Sequence, residues 1–262
     1  MKKIILPILL ILMTNINVIA QETQPMCAVA KQGLKIYEDQ DTASKVLGKI
    51  PYGQKINLID YNYMDKTRGW VFTTGGMRGN WQKVKFNGKT GYIIDCYLFP
   101  IPPPQKGVTT LHAYFNQISA IAAKVKVKRP EGQFYLSLDS GIAEYHTKIL
   151  YKNGMEMQTW FSLFDDYEMH IIPNFSIEQA FLLVQLLQQY PSLISEQEYI
   201  PAEEQTYTEI PNSLDKKEFK VEQIEGFTQK IQIQIHQRSN YLEIRNGEPS
   251  QAIILYRNNL PQ

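Results

Sequence analysis

The alternation of apolar and polar positions divides the chain in two. Before residue 100 the runs are short and β-rich: Val46 to Ile50, Ile56 to Tyr61, Trp81 to Phe86 and Gly91 to Ile94. Turn residues at Pro51-Tyr52-Gly53 and Asn87-Gly88 separate them. Asn87-Gly88 is a strong hairpin signal, because both residues tolerate a positive φ. After residue 106 the period changes. Leu111, Tyr114, Phe115, Ile118 and Ala122 recur at helical spacing behind Thr109-Thr110. A second helix is marked by a Ser176-to-Gln179 capping box and the stripe Ile177, Ala180, Phe181, Val184 and Leu187, ending before Pro191. Strands are predicted at Phe134 to Leu138, Ala143 to Tyr151, Met155 to Leu163, Tyr167 to Ile172, Ile231 to Gln237, Tyr241 to Ile244 and Ala252 to Tyr256. Ser195 to Lys217 reads as a long polar loop. The chain is therefore expected to be mainly β followed by an α+β domain, its hairpins forming an antiparallel sheet with about two helices.

Between the two patterns, Pro100, Pro102, Pro103 and Pro104 mark a boundary at residues 100–106. Such a segment cannot continue a helix or a central strand, and is expected to act as a semi-rigid spacer. The expected domains are residues 27–99 and 107–262.

One hairpin can be taken to its register. A three-residue loop, Lys152-Asn153-Gly154, pairs Tyr151 with Met155, Ile149 with Met157, Thr147 with Thr159 and Tyr145 with Phe161, and this segregates one apolar face. Continued through a turn at Phe164-Asp165-Asp166, it pairs Phe161 with Met169 and Leu163 with Tyr167. The other face then carries Glu144 and Glu168 in one row, with His146, Trp160 and His170 in the next. These five residues form either a plain solvent face or a ligand surface centred on Trp160. The two histidines, two strands apart, are too far from each other to share a zinc ion, so no metal is expected.

Composition adds limits. At 262 residues, 44% apolar and 20% charged, the chain is neither a disordered tail nor a multispanning membrane protein. Its net charge of +1 gives no nucleic-acid footprint. Charge is uneven, however. Residues 27–99 carry 11 basic and 6 acidic side chains, and residues 106–262 carry 14 and 19. Opposite signs fit two halves that dock, or two halves that face different partners. The first twenty residues, with Lys2-Lys3, an apolar run from Ile4 to Met13 and Val18-Ile19-Ala20 before Gln21, read as a signal peptide. The mature chain is expected in the periplasm or outside the cell, without an integral membrane segment.

Gly33-Leu34-Lys35-Ile36, Ser44 to Ile50, Tyr52-Gly53, Trp81-Gln82-Lys83-Val84, Asn87 to Ile93 and Tyr97-Leu98 follow, in order, the pattern of bacterial SH3-like domains. The resemblance covers residues 27–99. It departs from that pattern at Lys35 and Tyr37 and in the longer, Gly-rich stretch from Tyr61 to Asn80. It implies a small barrel that binds peptides, commonly at the bacterial cell wall, and brings no chemistry of its own. Candidate groove residues are Tyr37, Tyr61, Tyr63, Trp70, Trp81 and Tyr92, with core positions as the alternative for Trp81 and Tyr92. Cys27 and Cys96 would fall on the first and last strands, and in an oxidising compartment they are expected to pair, two buried thiols being the alternative.

With no cysteine after Cys96, a papain-like endopeptidase domain is excluded. HExxH, GxSxG, P-loop and GxGxxG motifs are missing too, so no cofactor is expected. The expectation is an envelope binding protein that recognises a peptide, such as a cell-wall peptide, with a second ligand or another envelope protein as the partner of its second half. A wall hydrolase using the His and Glu residues of the Trp160 face is the alternative.

Overall fold

The computed structural model describes residues 25–59, 70–72, 77–128, 145–161, 165–195, 199–201, 204–210, 215–224, 227–235, 240–247 and 250–259. The signal-peptide segment, Tyr61, Tyr63, the strand predicted at Phe134 to Leu138, and Glu144 lie outside them.

The first half contains β1 (Pro25–Ala28), β2 (Leu34–Tyr37), β3 (Val46–Ile50), β4 (Lys55–Ile59), β5 (Trp70–Phe72), β6 (Arg78–Phe86), β7 (Lys89–Ile94) and β8 (Leu98–Phe99). They form one antiparallel sheet in the order β3-β2-β7-β6-β4-β1-β8, with β5 beside β6, and the path does not close on itself. The β6–β7 hairpin turns at Asn87 (φ 47°) and Gly88 (φ 76°), pairing Phe86 with Lys89. Gly91 lets β2 cross β7 closely, since a Cβ there would collide with the Tyr37 carbonyl oxygen. Alternation buries Leu34 and Ile36 from β2 with Met26, Ile56, Leu58, Val84 and Ile93 in a compact inner core.

The second half contains helix α1 (Leu111–Ile118), β9 (Ile121–Lys128), β10 (Tyr145–Tyr151), β11 (Glu156–Phe161), β12 (Asp165–Pro173), helix α2 (Ile177–Leu187), β13 (Gln205–Glu209), β14 (Lys216–Ile224), β15 (Phe227–Ile235), β16 (Tyr241–Gly247) and β17 (Gln251–Asn259). Nine strands make one antiparallel sheet, ordered β13-β14-β15-β16-β17-β12-β11-β10-β9. The Ser176 hydroxyl accepts from the Gln179 amide while the Gln179 side chain accepts from the Ser176 amide, so the predicted capping box is formed. Three expectations need correction. The first helix stops at Ile118, and the residues from Ile121 are strand. The segment read as a polar loop contains β13. The alternating Phe219 and Val221, unassigned in the sequence reading, sit in β14.

The β10–β11 register is the predicted one: Tyr145 faces Phe161, Thr147 faces Thr159 and Ile149 faces Met157. Gly154 holds the loop at φ 86°. The next register is not the predicted one. Phe161 faces Asp166 and Trp160 faces Tyr167, three residues from expectation, because Asp165 and Asp166 belong to the strand and not to a turn. An odd shift moves every β12 side chain to the other face.

The two halves share one hydrophobic core. Met77, Trp81, Ile94, Cys96 and Phe99 from the first half join Phe115, Phe175, Phe181, Ile231 and Ile254 from the second. The Phe99 and Phe175 rings lie 4.9 Å apart. Gln179 Nε2 donates to the Leu98 carbonyl at 2.5 Å, and Arg78 donates to Gln223 at 2.9 Å. The halves dock through apolar surface, with side-chain hydrogen bonds such as these across it.

The proline segment packs against both halves. Pro103 and Pro104 are buried. Three successive carbonyls accept side-chain hydrogen bonds: Pro102 from Tyr114 Oη (2.7 Å), Pro103 from Gln117 Nε2 (3.1 Å) and Pro104 from Tyr52 Oη (3.0 Å). Extended backbone has no internal hydrogen bonds, and these side chains satisfy it from both halves.

Candidate functional site

Of the aromatic residues assigned to the SH3-like groove, three come together. Tyr37 lies opposite Tyr92, and its ring meets Trp81 edge-on at 5.5 Å. Trp81 is only 6% exposed and belongs to the core between the halves, with Tyr37 and Tyr92 packed against that core. The second half therefore covers this side of the first sheet, and Trp81 is a core residue. Trp70 lies in β5, opposite Asn80 of β6.

Cys27 and Cys96 are both buried free thiols. Strands β1 and β8 are neighbours, as the disulfide expectation required, but Cys27 faces Phe99 while Cys96 sits in the 3-10 turn Asp95–Tyr97. Cys96 points into the shared core. Burial, then the carboxylates of Asp95 and Glu178, push its thiol well above the usual range, which makes it a poor nucleophile.

The residues expected around Trp160 divide between two faces. His146 and Trp160 share the outer face as a cross-strand pair, rings stacked at 4.7 Å and 8°. Beside them, His146 Nε2 is 2.8 Å from Gln158 Oε1, Gln158 bonds Glu156, and Lys148 pairs with Glu156 at 2.6 Å. The row continues across the sheet through Tyr167 to Arg257, whose guanidinium lies 5.6 Å from the Tyr167 ring. On the same face, Glu243 accepts from Gln232 (2.9 Å) and Tyr241 (2.5 Å) and faces Arg245 at 3.2 Å. These are contacts along and across the strands of an outer sheet face, with Glu156 and Glu243 each held by an amide and a cation.

Glu168 and His170 lie on the opposite, core face. His170 is fully buried against the edge of Phe115, at 5.5 Å, and neither ring nitrogen has a hydrogen-bond partner. Burial, then the nearby His112, lower its pKa to about 3, so it stays neutral. Glu168 accepts from Tyr190 Oη (3.3 Å) and Gln189 Nε2 (3.4 Å), and Gln189 Oε1 accepts from the Leu111 amide at the start of α1. Burial raises the Glu168 carboxyl. Its contacts tie α1 and the end of α2 to the sheet. His146 and the Glu168–His170 pair are thus separated by the sheet itself and form no catalytic constellation. Among the described residues no three His, Cys, Asp or Glu side chains stand together as a metal site.

A concave site lies at the proline segment, which the sequence presented only as a boundary. A cleft of about 690 Å³ is lined by residues including Lys31, Tyr52, Pro103, Lys106, Gln117 and Leu186. The first half supplies Lys31 and Tyr52, and the second supplies Gln117 and Leu186. Its walls are mostly proline, aliphatic and tyrosyl surface, and among the described residues its charged lining residues are the two lysines. Such a cleft can bury an extended chain and meet a carboxylate. The signal for it was present in Tyr52 and the prolines, but only the docked halves bring them together.

Comparison with protein-family models, with curated proteins and with solved structures gives no match.

Proposed function

We propose that this chain is an exported bacterial envelope binding protein, periplasmic or secreted, whose first half is an SH3-like module and whose two halves act as one unit. Its site is the cleft along the proline segment, and its ligand is an extended peptide bearing carboxylates, with cell-wall peptide as the foremost case. The observation that carries this reading is the lining of that cleft: Tyr52 from the first half, Leu186 and Gln117 from the second and the prolines between them, with Lys31 and Lys106 as the charges among the described lining residues. The order of motifs from Gly33 to Leu98 supports the SH3-like assignment of the first half. No helix among the described residues is long and apolar enough to cross a membrane.

The test is co-sedimentation of the full mature chain with isolated peptidoglycan over a range of salt. The parent is expected to pellet and to remain bound at moderate salt. Reversing both lysines, Lys31→Glu with Lys106→Glu, is expected to weaken binding about tenfold while leaving the melting temperature unchanged. A parent that stays in the supernatant, or a variant that binds equally well, overturns the reading.

A further inference from the structure

We propose that the outer face of the first sheet binds an acidic polysaccharide, a hydrated sugar chain that carries repeated carboxylates. Strands β1 to β8 contain no aspartate or glutamate. Alternation turns Leu34, Ile36, Ile50, Ile56, Leu58 and Val84 into the inner core. Lys35, Lys49, Lys55, Lys83 and Lys85 therefore lie on the other face, and all five are exposed. Lys35 is directly opposite Lys49 in the β2–β3 pair. Two like charges so placed cost stability, and no described carboxylate pairs with any of the five lysines to offset it. The second sheet is built otherwise: Lys148 meets Glu156 at 2.6 Å, Lys230 meets Glu222 at 2.7 Å and Lys220 meets Glu218 at 3.0 Å. An uncompensated basic face on one sheet only is a surface that attracts an anion.

Shape and composition say which anion fits. The inner core draws on first-half residues alone, so the sheet curls over its own apolar face and the lysines stand on the convex side. A convex face suits a flexible chain that follows it better than a flat bilayer. Among the described residues of these strands, Val46 is the one exposed large apolar side chain, too little to enter a membrane. Tyr92, opposite Lys83, and its neighbour Tyr37 pack against the core shared with the second half instead of standing free to stack a nucleic-acid base. A protein partner would call for a dry aromatic centre, and interfaces of that kind are depleted in lysine. Thr90, opposite Lys85, and Asn57 are exposed and supply a hydroxyl and an amide for sugar hydroxyls. Ammonium groups on flexible stems also tolerate the uneven spacing of charges along a polymer. None of the five lysines lines the cleft, so this inference is independent of it.

The experiment uses the full mature chain and four probes: polygalacturonate, neutral dextran, polyglutamate and vesicles of an anionic phospholipid. Affinity is measured by calorimetry over a range of salt. Polygalacturonate is expected to bind, to weaken steeply as salt rises, and to bind more tightly than polyglutamate or the vesicles, while dextran does not bind. The variant with Lys35→Gln, Lys49→Gln, Lys83→Gln and Lys85→Gln is expected to bind polygalacturonate about tenfold less tightly. Its melting temperature should equal or exceed the parent's, because the repulsion between Lys35 and Lys49 is gone. Should that variant fail to fold, the pair Lys83→Gln, Lys85→Gln takes its place, with binding about threefold weaker expected. Equal binding of dextran, tighter binding of polyglutamate or of the vesicles, or an affinity indifferent to salt would each overturn the proposal. So would a folded variant that binds polygalacturonate as the parent does.

Discussion

The two faces of the nine-stranded sheet carry the same kinds of residue in opposite circumstances. His170 on the core face is buried without a hydrogen bond and meets a phenyl edge. His146 on the outer face is stacked on an indole and bonded to an amide. Glu168 is held between Gln189 and Tyr190, whereas Glu243 lies among Gln232, Tyr241 and Arg245. What a histidine or carboxylate can do here depends on the face it occupies, and the face depends on whether a hairpin register is odd or even.

Three perturbations sharpen that contrast. The largest effect is expected from Phe115→Ala, which removes a fully buried ring packed on Tyr151 and His170. Urea unfolding should show a loss of about 3–5 kcal/mol. A loss under about 1 kcal/mol would mean that the core face is loosely packed.

His170→Leu comes next, and its effect depends on pH. The unfolded histidine takes up a proton below its ordinary value of 6.5, while the folded one refuses it down to about 3. The parent therefore loses stability as pH falls through that window, and the leucine variant does not lose this part. The stability of the variant relative to the parent should rise by about 1.4 kcal/mol for each pH unit below about pH 6. Asp95, Glu168 and Glu178, raised by burial, act in the opposite sense, but they are present in both proteins and drop out of the comparison. A gap that does not change between about pH 7 and pH 5 would show that His170 reaches a proton acceptor or water in the folded state.

The smallest effect belongs to the outer face. A double-mutant cycle on His146→Ala and Trp160→Ala should give a coupling of about 0.5–1.5 kcal/mol. A coupling near zero would reduce the stack to two unrelated neighbours.

Much of the fold was legible where local signals decide it. Asn87-Gly88, the Ser176 capping box and the Lys152-Asn153-Gly154 loop each fix a turn or helix start within a few residues, and all three were read correctly. The register of β12 was not legible, because both of its faces are apolar enough to be inside: Tyr167, Met169 and Ile171 on one, His170 and Ile172 on the other. Its far neighbour decides, since β12 pairs along its whole length with β17, about ninety residues later in the chain. The candidate site suffered for the same reason. Trp81 could be read as groove or core, and only the arrival of the second half makes it core. Tyr52 and the prolines gave no sign of lining one cleft while a hundred residues of fold remained undetermined.

The wall built from Met77, Trp81, Ile94, Cys96 and Phe99 has a consequence for how the molecule comes into being. Synthesis runs from the N-terminus, so every residue of the first sheet is made before α2 exists to lie against it. During that interval an apolar surface and a thiol are open to whatever else is nearby. The risk closes only when the last strands are in place, since Ile231 and Ile254 complete the same core. The nascent chain thus has a period of vulnerability that the finished molecule no longer displays, and chaperones or oxidants would act on it then.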